Sequence, residues 1–329
     1  MTRSREISLA SPRGPRRTLS KVQARAQRSP APRPATEQKM EVVRAGGWNR
    51  YPWLWHGFSS RPGGVSHIYG AGSLNLGWTS DDDPGNVAEN RRRFLKEVAG
   101  PNIRMVTLRQ THTGLVRIVE AADSPLETVE GKAVLRGDGM MTDVPGLLLG
   151  VQVADCVPVL VADPKRKAVA AFHAGWRGTL KRIVERGVGR MRLRYGSRPE
   201  DLIAVVGPSI GSCCYSVGEE LKHEFQSQFA YWNKLFREVD DPDPVKERYP
   251  LLFLTARAPG HSNIGPQIHL DLWESNRRQL LDAGLRKKRI TVIGECTACT
   301  RSNGMLKYFS HRGESGFTGR MIAAIGVAG

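Results

Sequence analysis

Long apolar runs are missing from this sequence. The longest candidate, Gly146 to Asp163, is broken by Gln152 and Asp155 and is too interrupted to cross a bilayer. An export-signal core is missing too. The apolar stretch after the basic start, Ile7 to Ala10, has only four residues, one of them Ser8. A cytoplasmic location is therefore expected. There is no glycine-rich phosphate loop ending in Lys-Ser or Lys-Thr, and no dinucleotide fingerprint after a strand, which argues against the common nucleotide-binding folds. A zincin-like start at His223–Glu224 fails, because Ser227 stands where the second histidine is required. Cysteine is scarce: Cys156, Cys213, Cys214, Cys296 and Cys299 make an odd count without an export signal. That pattern disfavours a disulfide framework and turns attention to reactive or metal-binding thiols. Cys296 and Cys299 form a C-x-x-C without a second pair at zinc-finger spacing, a weak signal for a structural zinc or redox site.

Positive charge, by contrast, is abundant. The 329 residues carry a net charge of +17. Residues 1–39 hold ten Arg or Lys against two acids, contributing +8 of that excess in a stretch rich in Pro, Ser and Arg. With little to bury, this segment reads as a disordered basic tail, residues 1–39, ahead of a domain at 40–329. Non-specific contact with nucleic acid through counterion release is one reading of the tail. A solvated tail, or translation starting at Met40, are plainer ones. An organelle transit peptide would need an apolar helical stripe that is not present.

From Met40 onward, short strands alternate with helices. Met105–Leu108 and Val116–Val119 read as strands flanking the loop Arg109–Gly114. Leu147–Val153 and Val157–Val161 form a nearly continuous apolar run broken at Ala154–Asp155–Cys156, and Ala168–Phe172 follows as a buried strand. From Gly178 the residues Leu180, Ile183, Val184, Val188 and Met191 recur at helical spacing. Leu202–Val206 reads as a strand, Gly207–Tyr215 as a loop, and Val217–Phe229 and Leu272–Ala283 as helices, the latter stopped by Gly284. Ile290–Ile293, Leu306–Phe309 and Met321–Val327 complete the strands, while residues 230–268 show no clear period. The order predicts an α+β, or α/β-like, fold: one domain of mixed β-sheets flanked by helices.

Three polar residues stand at strand ends, where loops on a rigid scaffold carry chemistry. They are His112, Cys156 and His173. One thiolate and two imidazoles suit tetrahedral zinc and leave the fourth position for water. The site then keeps a net charge near +1, enough to acidify that water. Separations of 44 and 17 residues carry no local ligand spacing. By residue type alone, a core cysteine and hydrogen-bonded histidines remain open readings.

The motifs SSRPGGVS (Ser59–Ser66), SLNLG (Ser73–Gly77), DDPGNVAENR (Asp82–Arg91), RQTH (Arg109–His112), GDGMMTDVPGL (Gly137–Leu147), ADCVPVLVAD (Ala154–Asp163), HAGWRGT (His173–Thr179), GPSIGSCCYSVG (Gly207–Gly218) and YFSHRGESGFTGR (Tyr308–Arg320) run from about Phe58 to Val327. Together they resemble the laccase-domain, or multicopper polyphenol oxidase-like, family, whose members are now regarded as zinc-dependent purine nucleoside phosphorylases. The family's metal ligands fall on His112, Cys156 and His173. The resemblance implies phosphorolysis of adenosine, inosine, guanosine or methylthioadenosine to base and ribose 1-phosphate, or methylthioribose 1-phosphate for the last. Adenosine deamination by a metal-activated water is a further implied activity. Phosphate and purine nucleosides are thus the expected partners, with Zn2+ as cofactor.

Phosphorolysis needs phosphate held beside the sugar, so Arg61 and Arg177 are candidates for a guanidinium clamp, the alternative being surface or ion-paired arginines. Asn75 is a candidate for the ribose hydroxyls or for capping a turn. Asp155 is a candidate catalytic group that orients a ligand or moves protons, or else caps a loop. Trp176 would stack on a base or pack. The sequence departs from the family pattern at Thr113, commonly glycine, at His311 within Phe309–Ser310–His311–Arg312, and in the long 230–268 excursion. Two rival chemistries are weighed. A copper phenol oxidase is disfavoured, since eight histidines include no His-x-His pair. A hydrolase using Cys156 as nucleophile and His173 as base would fit the same strand ends.

Overall fold

The computed structural model describes residues 39–101, 103–121, 132–239, 248 and 267–329. All of them fall within the unit Thr36–Gly329. The expected disorder of residues 1–38 and most of the 230–268 excursion, residues 240–247 and 249–266, lie outside the described residues.

Strands that are apolar at every position, rather than at alternate ones, must be covered on both faces. The runs read from the sequence obey this. A five-stranded sheet has the order β1 (Val42–Val43), β2 (Leu54–Ser59), β17 (Met321–Val327), β7 (Leu147–Val153), β4 (Arg104–Thr107). A six-stranded sheet has the order β14 (Ile290–Val292), β10 (Ile203–Val206), β8 (Val157–Asp163), β9 (Ala168–Ala174), β6 (Gly139–Thr142), β5 (Val116–Ile118). Both are mixed: β4 runs parallel to β7, and β14 parallel to β10, while β8 and β9 are antiparallel.

The sheets pack on each other. Leu149, Val151 and Ile325 of the first share one apolar cluster with Leu160, Ala162, Val169 and Val205 of the second. The alternate residues Val157, Val159 and Val161 turn the other way, onto α3 (Ile183–Tyr195), α4 (Glu219–Gln228) and α5 (Leu272–Asp282). On the far side of the first sheet, Leu148, Ile322 and Ala324 meet Phe94 and Val98 of α1 (Pro84–Val98). Each fully buried valine or leucine here contributes about 1.5–3 kcal/mol. The mixed sheets flanked by helices thus match the fold expected from the sequence.

Some boundaries differ. The helix expected from Gly178 is two helices, α2 (Trp176–Leu180) and α3, separated where Arg182 takes a left-handed φ of 55°. Apolar spacing carries through the break, because both pieces bury the same face, so periodicity alone did not reveal it. Val217 is not helical but pairs in β11 (Ser216–Val217), and α4 starts at Glu219. Leu306–Phe309 is not one strand. Only Met305–Leu306 (β16) pairs, with Arg301–Ser302 (β15), while Tyr308 and Phe309 are buried by packing. Within the excursion, after a short 3-10 helix at Trp232–Lys234, β12 (Phe236–Val239) pairs antiparallel with β13 (Gln267–Leu270), and β13 also pairs with β11. Pro62–Ser66 (β3) makes isolated bridges to Ser73.

Candidate metal centre

The break in the apolar run marks a change of sheet. β7 belongs to the first sheet and β8 to the second, and Ala154–Asp155–Cys156 is the corner between them. Asp155 turns that corner with φ 89°, a conformation a non-glycine residue adopts only under tertiary constraint. His173 sits near the end of β9, opposite Pro158 of the neighbouring strand. His112 lies in the loop after β4, also with a positive φ, 58°. Three separate strand ends therefore deliver their side chains to one point.

There the nitrogen and sulfur donors of His112, Cys156 and His173 all lie within 4.8 Å of one another. Cys156 Sγ is 3.8 Å from His112 Nε2, and the two imidazole rings stand edge to face with centroids 5.0 Å apart. Gly175 closes one side. A Cβ there would lie 2.7 Å from Cys156 Sγ and 3.3 Å from His112 Cδ2, so no larger residue fits beside the thiol.

Asp138, which the sequence reading passed over, organises the cluster. Its carboxylate accepts hydrogen bonds from the backbone N–H groups of Thr111 (3.3 Å), His112 (3.0 Å) and Thr113 (2.6 Å), and from the Thr113 hydroxyl (2.7 Å). It also meets His173 Nδ1 at 2.9 Å, leaving Nε2 for a metal, the arrangement that fixes ligand histidines elsewhere. Gln110 and Gln152 exchange two further bonds, 2.8 and 2.7 Å, that tie the His112 loop to β7.

The electrostatics follow from burial and neighbours. Burial opposes charge on Asp138, yet hydrogen bonds from His173 and Thr113 outweigh it and hold the carboxyl well below its usual range. Burial likewise opposes the Cys156 thiolate, but the charge of His173 and hydrogen bonds from both histidines bring the thiol down to about 6. His173 is pushed up to about 9: burial lowers it, and the Cys156 thiolate and Asp138 more than reverse that. A thiolate, two imidazoles and a carboxylate behind one of them form a donor set that fits zinc.

The three donors open onto a cavity of about 610 Å³, within the range of small-molecule sites. Trp78, Arg109, Lys132, His311 and Arg320 also line it. None of these was singled out as a substrate residue from the sequence, since they lie far apart along the chain. The residues that were singled out are placed differently. Arg61 is ion-paired to Glu314 at 2.7 Å, donates to the Tyr69 carbonyl, and stacks on Phe309. Arg177 is exposed and lies over the Trp176 ring at 4.2 Å, while Trp176 packs against the helix-side core. Neither arginine is among the residues lining the cavity. Asn75 is fully buried. Its amide donates to Asp82 Oδ2 and the Gly77 carbonyl, and its oxygen accepts from Gly77 and Arg320 N–H, so no hydrogen-bonding capacity is left for a ribose. Asp155 points away from the cluster. Its carboxylate accepts from Thr297 Oγ1 (2.6 Å), Ser310 Oγ (2.7 Å) and Arg312 N–H (2.6 Å).

Fold and site together define a mixed α/β domain with a cysteine–histidine centre at the joint of two sheets, opening onto a cation-lined cavity. A family model described as Multi-copper polyphenol oxidoreductase laccase matches residues 55–328, and the chain belongs to this family. It is 35% identical to purine nucleoside phosphorylase YlmD of Geobacillus stearothermophilus over 271 residues, 82% of this chain and 89% of that protein. It is 29% identical to adenosine deaminase RL5 of an unknown prokaryotic organism, over 82% of this chain and 92% of that one. The crystal structure of YlmD from Geobacillus stearothermophilus superimposes with a TM-score of 0.70, covering 89% of this chain and 99% of that chain. Among the described residues, no helix is long and apolar enough to cross a membrane.

Proposed function

We propose that this enzyme cleaves purine nucleosides by phosphorolysis in the cavity beside His112, Cys156 and His173, with zinc held by those three side chains. The observation that carries the reading is the shared cavity: the donor cluster and the cations Arg109, Lys132 and Arg320 all line it. When bound, zinc supplies Lewis-acid stabilisation of charge that develops in the reaction.

The chain's own residues supply the rest. Phosphate enters as an anion, and the two guanidiniums and the ammonium that line the cavity hold it next to the sugar. A phosphate oxygen then bonds to ribose C1′ while the bond from C1′ to the purine nitrogen breaks, its electron pair leaving with the base. His311 lines the same cavity, and we assign it delivery of the proton the departing purine needs. Trp78 offers an aromatic face for the base. Asp138 keeps His173 oriented, and Asp155 acts as a positioning residue for the corner that carries Cys156. The clamp is thereby assigned to cations that line the cavity instead of Arg61 or Arg177, which are not among its lining residues.

Zinc is preferred to copper despite the family's description. Among the described residues, the only groups of three or more potential donors are this cluster and a set of four cysteines, not an array of imidazoles. The free thiols fit a reducing compartment, so we place the enzyme in the cytosol. The similarity to an adenosine deaminase supports a second reaction, loss of ammonia from adenosine in the same cavity. Chromatography of adenosine, inosine, guanosine and methylthioadenosine reactions, with and without phosphate, tests both. Free base with the matching sugar 1-phosphate, formed only with phosphate, is expected. Inosine formed from adenosine without phosphate would mark the second reaction. Substrates unchanged by zinc-loaded enzyme would overturn the assignment.

A further inference from the structure

Cys213 and Cys214 stand side by side in the loop 207–215, and Cys296 and Cys299 lie some eighty residues later in the turn after β14. The fold brings the two pairs together: all four Sγ atoms lie within 4.8 Å of one another. Cys213 Sγ and Cys299 Sγ are 3.6 Å apart and unbonded. Sulfurs at the corners of a tetrahedron around zinc stand about 3.8 Å apart, given a Zn–S bond of about 2.3 Å. Cys296 is buried and accepts a hydrogen bond from the Gly211 N–H at 3.2 Å, as thiolate ligands do. Cys213 and Cys299 face the solvent, so an ion has a path in. We propose that Cys213, Cys214, Cys296 and Cys299 form a second metal site, a closed zinc tetrathiolate distinct from the cavity centre.

Four protein donors fill a tetrahedral ion and leave no position for water, so the role is structural. The two loops already touch through Thr297 N–H to the Ser209 carbonyl (3.0 Å) and Ser209 N–H to the Glu295 carbonyl (3.3 Å). Both also grip the corner residue. Ile210 N–H donates to the Asp155 carbonyl at 3.0 Å, and Thr297 Oγ1 donates to its carboxylate at 2.6 Å. A metal joining the loops would hold Asp155, and with it the neighbouring Cys156, from outside the cavity.

The test measures zinc in the full chain, purified with reductant present and without added chelator. Wild-type protein is expected to hold about two zinc ions, and Cys156→Ala and the double variant Cys213→Ser/Cys299→Ser about one each. After cobalt replacement, the intense thiolate-to-cobalt absorption should survive in Cys156→Ala and fall sharply in the double variant. A parallel measurement uses wild-type protein alone, in case the double variant fails to fold. There, titration with an organomercurial thiol reagent in the presence of a colorimetric chelator should release two equivalents of zinc. Unchanged metal content in a folded double variant, or no zinc left to release from Cys156→Ala, would overturn the proposal.

Discussion

Replacing Gly175 by alanine separates the metal centre from the fold. Gly175 precedes α2 with φ −63° and ψ 172°, a conformation alanine adopts freely, so the backbone does not resist the change. The added Cβ would lie 2.7 Å from Cys156 Sγ, whereas ordinary contact begins near 3.4 Å. The sulfur must therefore give by about 0.7 Å, several times the roughly 0.2 Å that a zinc site tolerates in its bond lengths. The expected result is at least a tenfold loss of zinc affinity at the cavity centre, about 1.4 kcal/mol. Stability of the metal-free protein should stay within about 1 kcal/mol, because alanine also narrows the unfolded ensemble. The assay restores zinc to chelator-stripped protein against a competing chelator and follows the recovery of nucleoside turnover. A thermal melt of the stripped protein reads the fold separately. Recovery at wild-type zinc concentrations in Gly175→Ala would refute the placement of the metal beside Cys156.

Other outcomes follow from the same geometry. Asp138→Asn loses one acceptor and places an amide against Thr113 or His173, so zinc affinity should fall about 10- to 100-fold in the same competition assay. In metal-free protein His173 is protonated up to about pH 9, and Cys156 is ionised down to about pH 6. Since zinc needs the neutral imidazole and the thiolate, calorimetry in buffers of different ionisation heat should show about one proton expelled from this pair at pH 8, more below pH 6, and affinity rising with pH until about 9. Two glycines of α3 should part company in thermal melts. Gly189→Ala meets nothing within 4 Å and should stabilise by about 0.5–1 kcal/mol, whereas Gly187→Ala drives a Cβ to 2.2 Å from the Phe172 ring and should destabilise. Deleting residues 1–39 should leave turnover unchanged and reduce salt-sensitive binding to polyanions, as measured by heparin retention; the opposite pattern would place the domain boundary elsewhere.

The strands were legible because they are buried on both faces, so β7, β8, β9 and β17 read as continuous apolar runs, whereas the packing of one sheet on the other was not. Cys156 was legible for the converse reason, as a polar break in such a run. Asp138 was not: it meets His173 only because β6 lies beside β9, a pairing with no signature in the local text. A signal existed in the acid held between Gly137 and Gly139, the latter so close to Phe172 that a Cβ would stand 2.8 Å from its ring. The cavity wall was missed likewise, since Trp78, His311 and Arg320 are assembled by tertiary packing. Arg61 and Asn75 sit in motifs that resemble a family site, yet their side chains are spent on internal partners.

The corner at Ala154–Cys156 gives the domain a thermodynamic character of its own. His112 follows a strand of one sheet, His173 belongs to the other, and Cys156 lies where the chain passes between them. An ion bound by all three can be retained only while both sheets are intact, so its binding energy is set against the melting of either one. Loaded protein should therefore lose its two sheets in a single cooperative step. Stripped protein keeps the shared apolar interface and the Asp138 bonds to the His112 loop but loses the ion's tie between the sheets, and no fragment carrying one sheet alone can inherit the centre.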